Sequence, residues 1–263
     1  FLTKYDASGG RAWTKLIGTS GRDFATALTT GLDGSIYVSG YTTGNLDGET
    51  NSGEIDAFLT KYDASGGRAW TKLIGSSEVN IATALTTGSD GSIYVSGRSR
   101  GSVSETFLTK YDANGIRDWT KLIGRDANGQ KDWSHYYKAS GLMVETEALT
   151  IGLDGSIYVS GVTDFHLNGE TNSGESDAFL TKYDASGNRA WTKLIGTSAV
   201  DAAKALTTGS DGSIYVSGYT RGNLDGQTNS GGDIEYSNMY RSYPSPEVKE
   251  GQDAFLVKFQ GAV

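Results

Sequence analysis

The chain has 263 residues, 37% hydrophobic and 11% aromatic, with 37 Gly, 2 Pro and a formal net charge of −8. This balance describes a turn-rich globular protein, and the negative charge argues against nucleic acid as a partner, because phosphate binding needs clustered cations. Cys is absent, which excludes disulfides and thiolate metal sites, and no apolar run reaches the ~18 residues that membrane insertion by a helix needs.

The chain opens in mid-pattern with FLTKYD (1–6), which implies a piece of a longer chain. The turn ASGG follows, then RAWTKLIG (11–18). Next come ALTTG (27–31) and SIYVSG (35–40), joined by the tight-turn signal LDG. In SIYVSG, Ile36 and Val38 point one way and Tyr37 the other, so both faces carry bulk and each predicts a neighbouring sheet. The loop LDGETNSGE (46–54) leads back to FLTKYD, and the cycle begins again.

FLTKYDA recurs at Phe1, Phe58, Phe107 and Phe179, with a variant at Phe255, at spacings of 57, 49, 72 and 76 residues. WTKLIG recurs at Trp13, Trp70, Trp119 and Trp191, and DGSIYVSG at Asp33, Asp90, Asp154 and Asp211. Four short strands in two hairpins per unit predict an all-β β-propeller of four-stranded antiparallel blades. A β-solenoid is the competing architecture, but its coils are usually shorter and lack two hairpins per repeat. The units start near 1, 58, 107 and 179, with a terminal strand at 253–259, and form a single propeller or propeller fragment.

The stretch DAFLTKYDASGGRAWTKLIG, with DGSIYVSG, resembles the bacterial β-propeller repeat family SBBP, and the match runs through all four units. The strand order resembles the NHL type of blade: ALTTG innermost (A), SIYVSG (B), AFLTKYD (C) and RAWTKLIG outermost (D). The resemblance implies a large secreted or surface protein of bacteria with no assigned reaction. Four A–B hairpins, four D strands and five C strands leave three outcomes open: a four-bladed ring with a spare strand, an arc, or a ring shared by two chains.

Length variation is confined to the B–C and D–A connections, which share one face of the blades. One insertion duplicates DANGIRDW as DANGQKDW and brings Trp133, His135, Tyr136 and Tyr137. The other brings Tyr236, Tyr240 and Tyr243 and both prolines. These aromatics suit a contact surface for a protein partner, self-association or a glycan, since Tyr and Trp offer stiff amphipathic area. Alternatively they fold back over the blade edge. The B–C loops carry oxygen ligands at alternate positions, Asp47, Glu49, Asn51 and Asp56 in unit one, and Asn168, Glu170, Asn172 and Asp177 in unit three. Unit four offers Asp225, Gln227, Asn229 and Asp233, whereas unit two keeps only Glu105. Such sets suit Ca²⁺ as the one candidate cofactor, although the spacing is not that of an EF-hand; the alternative is a polar turn bonded to its own backbone.

No nucleophile elbow, no His pair and no phosphate cradle occurs, and His135 and His166 belong to different units. Asp6, Asp63, Asp112 and Asp184 recur with the repeat and read as turn residues; Lys4, Lys61, Lys110 and Lys182 recur too and are expected to lie over neighbouring strands with solvated charge. The reading is a non-enzymatic structural, adhesive or assembly module of a bacterial extracellular or surface protein. A glycan-binding propeller and a polysaccharide-active enzyme are the alternatives.

Overall fold

The computed structural model describes residues 1–100, 105–124, 144–230, 234–235, 248–249 and 251–260. Its strands in chain order are β1 (Leu2–Tyr5), β2 (Arg11–Lys15), β3 (Asp23–Thr30), β4 (Ile36–Thr42), β5 (Asp56–Tyr62), β6 (Arg68–Ile74), β7 (Val79–Thr87), β8 (Ile93–Arg100), β9 (Glu105–Tyr111), β10 (Arg117–Ile123), β11 (Val144–Ile151), β12 (Ile157–Thr163), β13 (Asp177–Tyr183), β14 (Arg189–Ile195), β15 (Asp201–Thr208), β16 (Ile214–Thr220), β17 (Ile234–Glu235), β18 (Val248–Lys249) and β19 (Asp253–Phe259). Three complete antiparallel blades form, β3-β4-β5-β6, β7-β8-β9-β10 and β11-β12-β13-β14. Among the described residues a fourth sheet holds β15-β16-β19, and β1-β2 forms a separate C–D hairpin ahead of blade one. The all-β propeller-blade architecture read from the repeats is the one observed, and among the described residues there is no helix.

The turns form for local reasons. Gly34, at φ 78°, closes the A–B turn, where Gly31 N–H donates to Ser35 O and Asp33 Oδ1 accepts from Ser35 N–H at 2.9 Å. In the C–D turn Asp63 Oδ1 accepts from Ser65 N–H and Gly67 N–H, each at 2.8 Å. Asp6, Asp112 and Asp184 repeat that bonding, as turn residues should.

The core lies between blades. Tyr37, Leu59 and Ile74 of blade one meet Ala82, Leu85, Ile93 and Val95 of blade two in one apolar layer. Tyr94, Leu108 and Ile123 meet Leu149, Ile157 and Val159 in the next, and Leu180 and Ile195 meet Ala203, Ile214 and Val216 in the third. Leu2 and Trp13 of the first hairpin pack on Val38, Leu46 and Phe58. Tyr37 and Val38 thus face opposite layers, which is why this strand type is apolar on both faces. Burying each such side chain contributes about 1.5–3 kcal/mol.

The blades make an open arc. β3 packs on β7, β7 on β11 and β11 on β15, so these A strands are innermost; β15 makes no comparable packing with β3. The ends show it in their exposure. Leu59 and Leu180 are fully buried, whereas Leu256, at the same place in β19, is 71% exposed. Phe24 and Leu28 on β3, and Phe1, Tyr5 and Leu16 on the first hairpin, are exposed as well.

Candidate functional site

In each meander the A–B and C–D turns share one end and the B–C and D–A connections the other. Both long insertions leave from that second end, one after β10 and before β11, the other after β16 and before β19. The aromatic residues expected to make a contact surface, Trp133, His135, Tyr136, Tyr137, Tyr236, Tyr240 and Tyr243, lie outside the described residues, as does Asp233.

The B–C loop of blade one is a latch between the loop and the outer strand. Leu46 is fully buried and anchors it, and Asp47 (φ 57°) and Gly48 (φ 90°) turn it back so that Leu46 pairs with Glu49. The Asp47 carboxylate accepts from Arg68 and, at 2.6 Å, from Thr71 Oγ1, both on β6. Glu49 pairs with Lys72 at 3.2 Å. Asn51 N–H donates to Asn45 Oδ1, its Nδ2 donates to Thr42 O, and its Oδ1 accepts from Gly53 N–H. Asp56 is buried and accepts from Ser52 N–H at 2.7 Å.

Blade three keeps the latch with different chemistry. Asn168 Oδ1 accepts from Arg189, and its Nδ2 donates to Thr192 Oγ1 at 2.8 Å, where Asp47 accepts from Thr71. Glu170 pairs with Lys193 at 3.0 Å. His166 Nδ1 accepts from Asn172 N–H at 2.9 Å, the bond that Asn45 takes in blade one. Asn172 Nδ2 donates to Thr163 O, and the buried Asp177 accepts from Ser173 N–H at 2.9 Å. The Asp47-to-Asn168 exchange, which weakens a cation site, leaves the latch intact. Among the described residues no three carboxylate or imidazole groups gather to hold a metal ion. The calcium reading of Asp47, Glu49, Asn51, Asp56, Glu170, Asn172 and Asp177 therefore rests on spacing alone, with each of these side chains already bonded inside its loop or to the outer strand.

Burial pushes the Asp177 carboxyl above its ordinary value, and the nearby Asp201 charge adds to this; Asp177 Oδ1 is buried with no hydrogen-bond partner. At the opposite end, Asp211 is held down at about 2, chiefly by the Lys258 ammonium at 2.9 Å, then by Ser213. A carboxyl lowered from 3.8 stabilises the fold above that range, and the contribution is lost as pH falls through about 2. Lys258→Met is expected to raise the Asp211 pKa toward 3.8, checked by a carbon-detected NMR titration of the Asp carboxyls.

Lys61, Lys110 and Lys182 differ from the expectation of solvated charge, whereas Lys4 is exposed. Lys61 sits 5.4 Å over the Tyr37 ring and 3.5 Å from Asp33, with its side chain only 15% exposed. Lys182 lies likewise over Tyr158 and 2.8 Å from Asp154. An aromatic face and a turn carboxylate take the place of water around the ammonium. Sequence reasoning also missed Glu145, which pairs with Arg98 and Arg100 across blades two and three, and the Lys204–Glu147 pair between inner strands. The signal was the departure from the repeat: Arg98 and Arg100 stand where blade one has Tyr41 and Thr43.

Comparison with known proteins places these observations. The Regulatory protein FlaEY of Caulobacter vibrioides is 29% identical over 231 residues, covering 78% of this chain and 24% of that protein. The chain thus spans about a quarter of the length of this curated relative. A protein of unknown function from Bacteroides caccae aligns structurally with a TM-score of 0.45 at 10% identity, covering 80% of this chain and 58% of that one. The SBBP beta-propeller repeat model matches residues 12–47, from β2 through β3 and β4 into the first B–C loop. Residues 12–47 are an SBBP β-propeller repeat, and its strands return in the blades that follow.

Proposed function

We propose that this chain is a non-enzymatic assembly module of a bacterial extracellular or surface protein, and that it engages a protein partner through the face carrying the B–C and D–A connections. The observation that carries the reading is the asymmetry between the two faces. One has short Asp-Gly and Ser-Gly turns repeated in every blade; both long insertions leave from the other. Loops set on a rigid scaffold are the usual place for recognition, and the inserted aromatics suit a protein contact. Each insertion occurs at one junction only, which fits a single partner better than a sugar bound once per blade. The name of the Caulobacter relative, a regulatory protein, agrees with a role in binding.

Site-specific photo-crosslinking tests the proposal. A photoreactive residue at Tyr240 is expected to trap a defined protein band in the producing bacterium, and one at Ser186, on the C–D turn face, is not. Equal trapping from both faces, or from neither, sinks it. Separately, thermal melting with and without a chelator is expected to give one midpoint, because the B–C loops are latched by Arg, Thr and Lys side chains. A lowered midpoint on chelation would show that the loops hold a structural cation.

A further inference from the structure

Blade three builds its B–C turn on an amide where blades one and four have a carboxylate. Asp47-Gly48, Asn168-Gly169 and Asp225-Gly226 stand at the same place in their loops, with φ of 57°, 57° and 50° at the first residue. Around Asn168-Gly169, Leu167 and Glu170 exchange two backbone bonds of 3.0 Å, as Leu46 and Glu49 do at 3.1 and 3.0 Å. The side chain is caged as its counterpart is. Asn168 Oδ1 accepts from Arg189 and its Nδ2 donates to the buried Thr192, where Asp47 accepts from Arg68 and Thr71. The cage that holds a carboxylate in blade one thus holds an amide in blade three.

An Asn followed by Gly is open to attack by the glycine's own backbone nitrogen, because no side chain shields that nitrogen. Two such steps lie among the described residues, and they differ at the nitrogen. Gly115 N–H donates to Asp112 O at 3.0 Å, which ties up the proton that must leave. Gly169 N–H has no hydrogen-bond partner among the described residues, and Gly169 is exposed with open space around it. The Arg189 guanidinium meanwhile draws charge onto Asn168 Oδ1. That makes Cγ more electrophilic and stabilises the oxyanion that attack creates.

We propose that Asn168 is a self-modification site, at which the side-chain amide is lost and an aspartate forms in its place. Gly169 N gives its proton to solvent base and bonds to Asn168 Cγ. The Cγ–Nδ2 bond then breaks, and the nitrogen leaves as ammonia with a proton taken from water. Water adds to Cγ of the cyclic succinimide, the new Cγ–N bond breaks, and Gly169 N regains its proton. The net change is one water in and one ammonia out, with no oxidant or cofactor. Water adding at the main-chain carbonyl instead gives isoaspartate, with an extra methylene in the backbone. Arg189 works against that outcome by polarising Cγ, and a longer backbone disrupts the Leu167–Glu170 pairing. The aspartate is received by the existing cage. Arg189 gains an ion pair like that of Arg68 with Asp47, and Thr192 turns its hydroxyl to donate, as Thr71 does. Thr192 can do so beside Thr181 Oγ1 at 2.9 Å, since either oxygen of that pair can be the donor. The B–C loop gains one negative charge and keeps its latch.

This goes beyond the loop-face reading and does not depend on it. The chain is held for days in mildly alkaline buffer and its peptides are mapped by mass spectrometry. An NH2-to-OH exchange is expected at Asn168 ahead of Asn114, with aspartate outweighing isoaspartate at position 168. Arg189→Met, at an exposed position, is expected to slow the exchange about threefold or more and to raise the isoaspartate share. A cooperative melt will show that this variant folds. Asn168→Asp is expected to melt no lower than the wild type, because the cage already fits a carboxylate. Exchange at Asn114 first, a majority of isoaspartate at position 168, or an Asn168→Asp chain that melts lower overturns the inference. So does an Arg189→Met chain that converts as fast as the wild type or faster, which would mean that Arg189 only restrains the amide. None of these results touches the crosslinking test of the loop face.

Discussion

Gly161→Ala is expected to destabilise the protein by about 3 kcal/mol or more, lowering the melting midpoint by ~6–12 °C. Gly161 lies on β12 opposite the bulge in β11, where the register shifts between Thr146 and Ala148. A Cβ there would fall on the carbonyl oxygen of Glu145, and it would crowd the Phe179 ring at 3.0 Å. That oxygen belongs to the backbone of the neighbouring strand, so relief requires moving the strand. Gly40, Gly97 and Gly218 meet the carbonyls of Phe24, Ile81 and Ala202 in the same way. The control is Gly169→Ala in the B–C loop, at φ 88° with open space around the added methyl. Only the left-handed backbone opposes that change, at about 1 kcal/mol. If the two variants melt together, the close approach at the bulge is not what fixes this glycine.

Asp177→Ala is expected to cost about 2 kcal/mol, by leaving Ser173 N–H without its acceptor and opening a void beneath the loop. Asp177→Asn keeps an acceptor oxygen and should stay within about 1 kcal/mol of the wild type at neutral pH, since it also removes a buried charge. The pH dependence has a definite sign. A carboxyl whose folded pKa is raised binds its proton more tightly in the folded state. Its contribution is therefore most favourable at acid pH and declines as pH rises through the folded value. Relative to Asp177→Asn, the wild type should gain stability on acidification. Urea titrations of the three proteins across the acid range check this, and an Asn variant as unstable as the Ala variant would show that the charge itself is required.

Much of the blade was legible because each strand announces itself. Alternating bulk on both faces of SIYVSG could only mean a sheet packed on two sides, and Tyr37 and Val38 do face different layers. Asp-Gly and Ser-Gly signals mark turns because the chemistry that closes them is local, as the Asp33 and Asp63 bonds show. The loop residues were legible as a set but not in their role. Alternating carboxylates and amides look the same in sequence whether they face a cation or an arginine, because the deciding partner lies 21 residues away on β6 or β14. Lys61 was misjudged for a related reason: Tyr37 and Asp33 come to it from the neighbouring strand and its turn.

By itself the sequence determined the unit: four strands, two local turns, and a glycine in every B strand. These follow from side-chain alternation and from backbone positions that few residues can take. Tertiary structure decided how units add up. Among the described residues β19 takes the C position beside β16, and β1–β2 packs on blade one as a separate sheet. β1 and β19 have nearly the same residues, yet one pairs with β2 and the other with β16, because packing on the neighbouring blade and not local sequence sets their place.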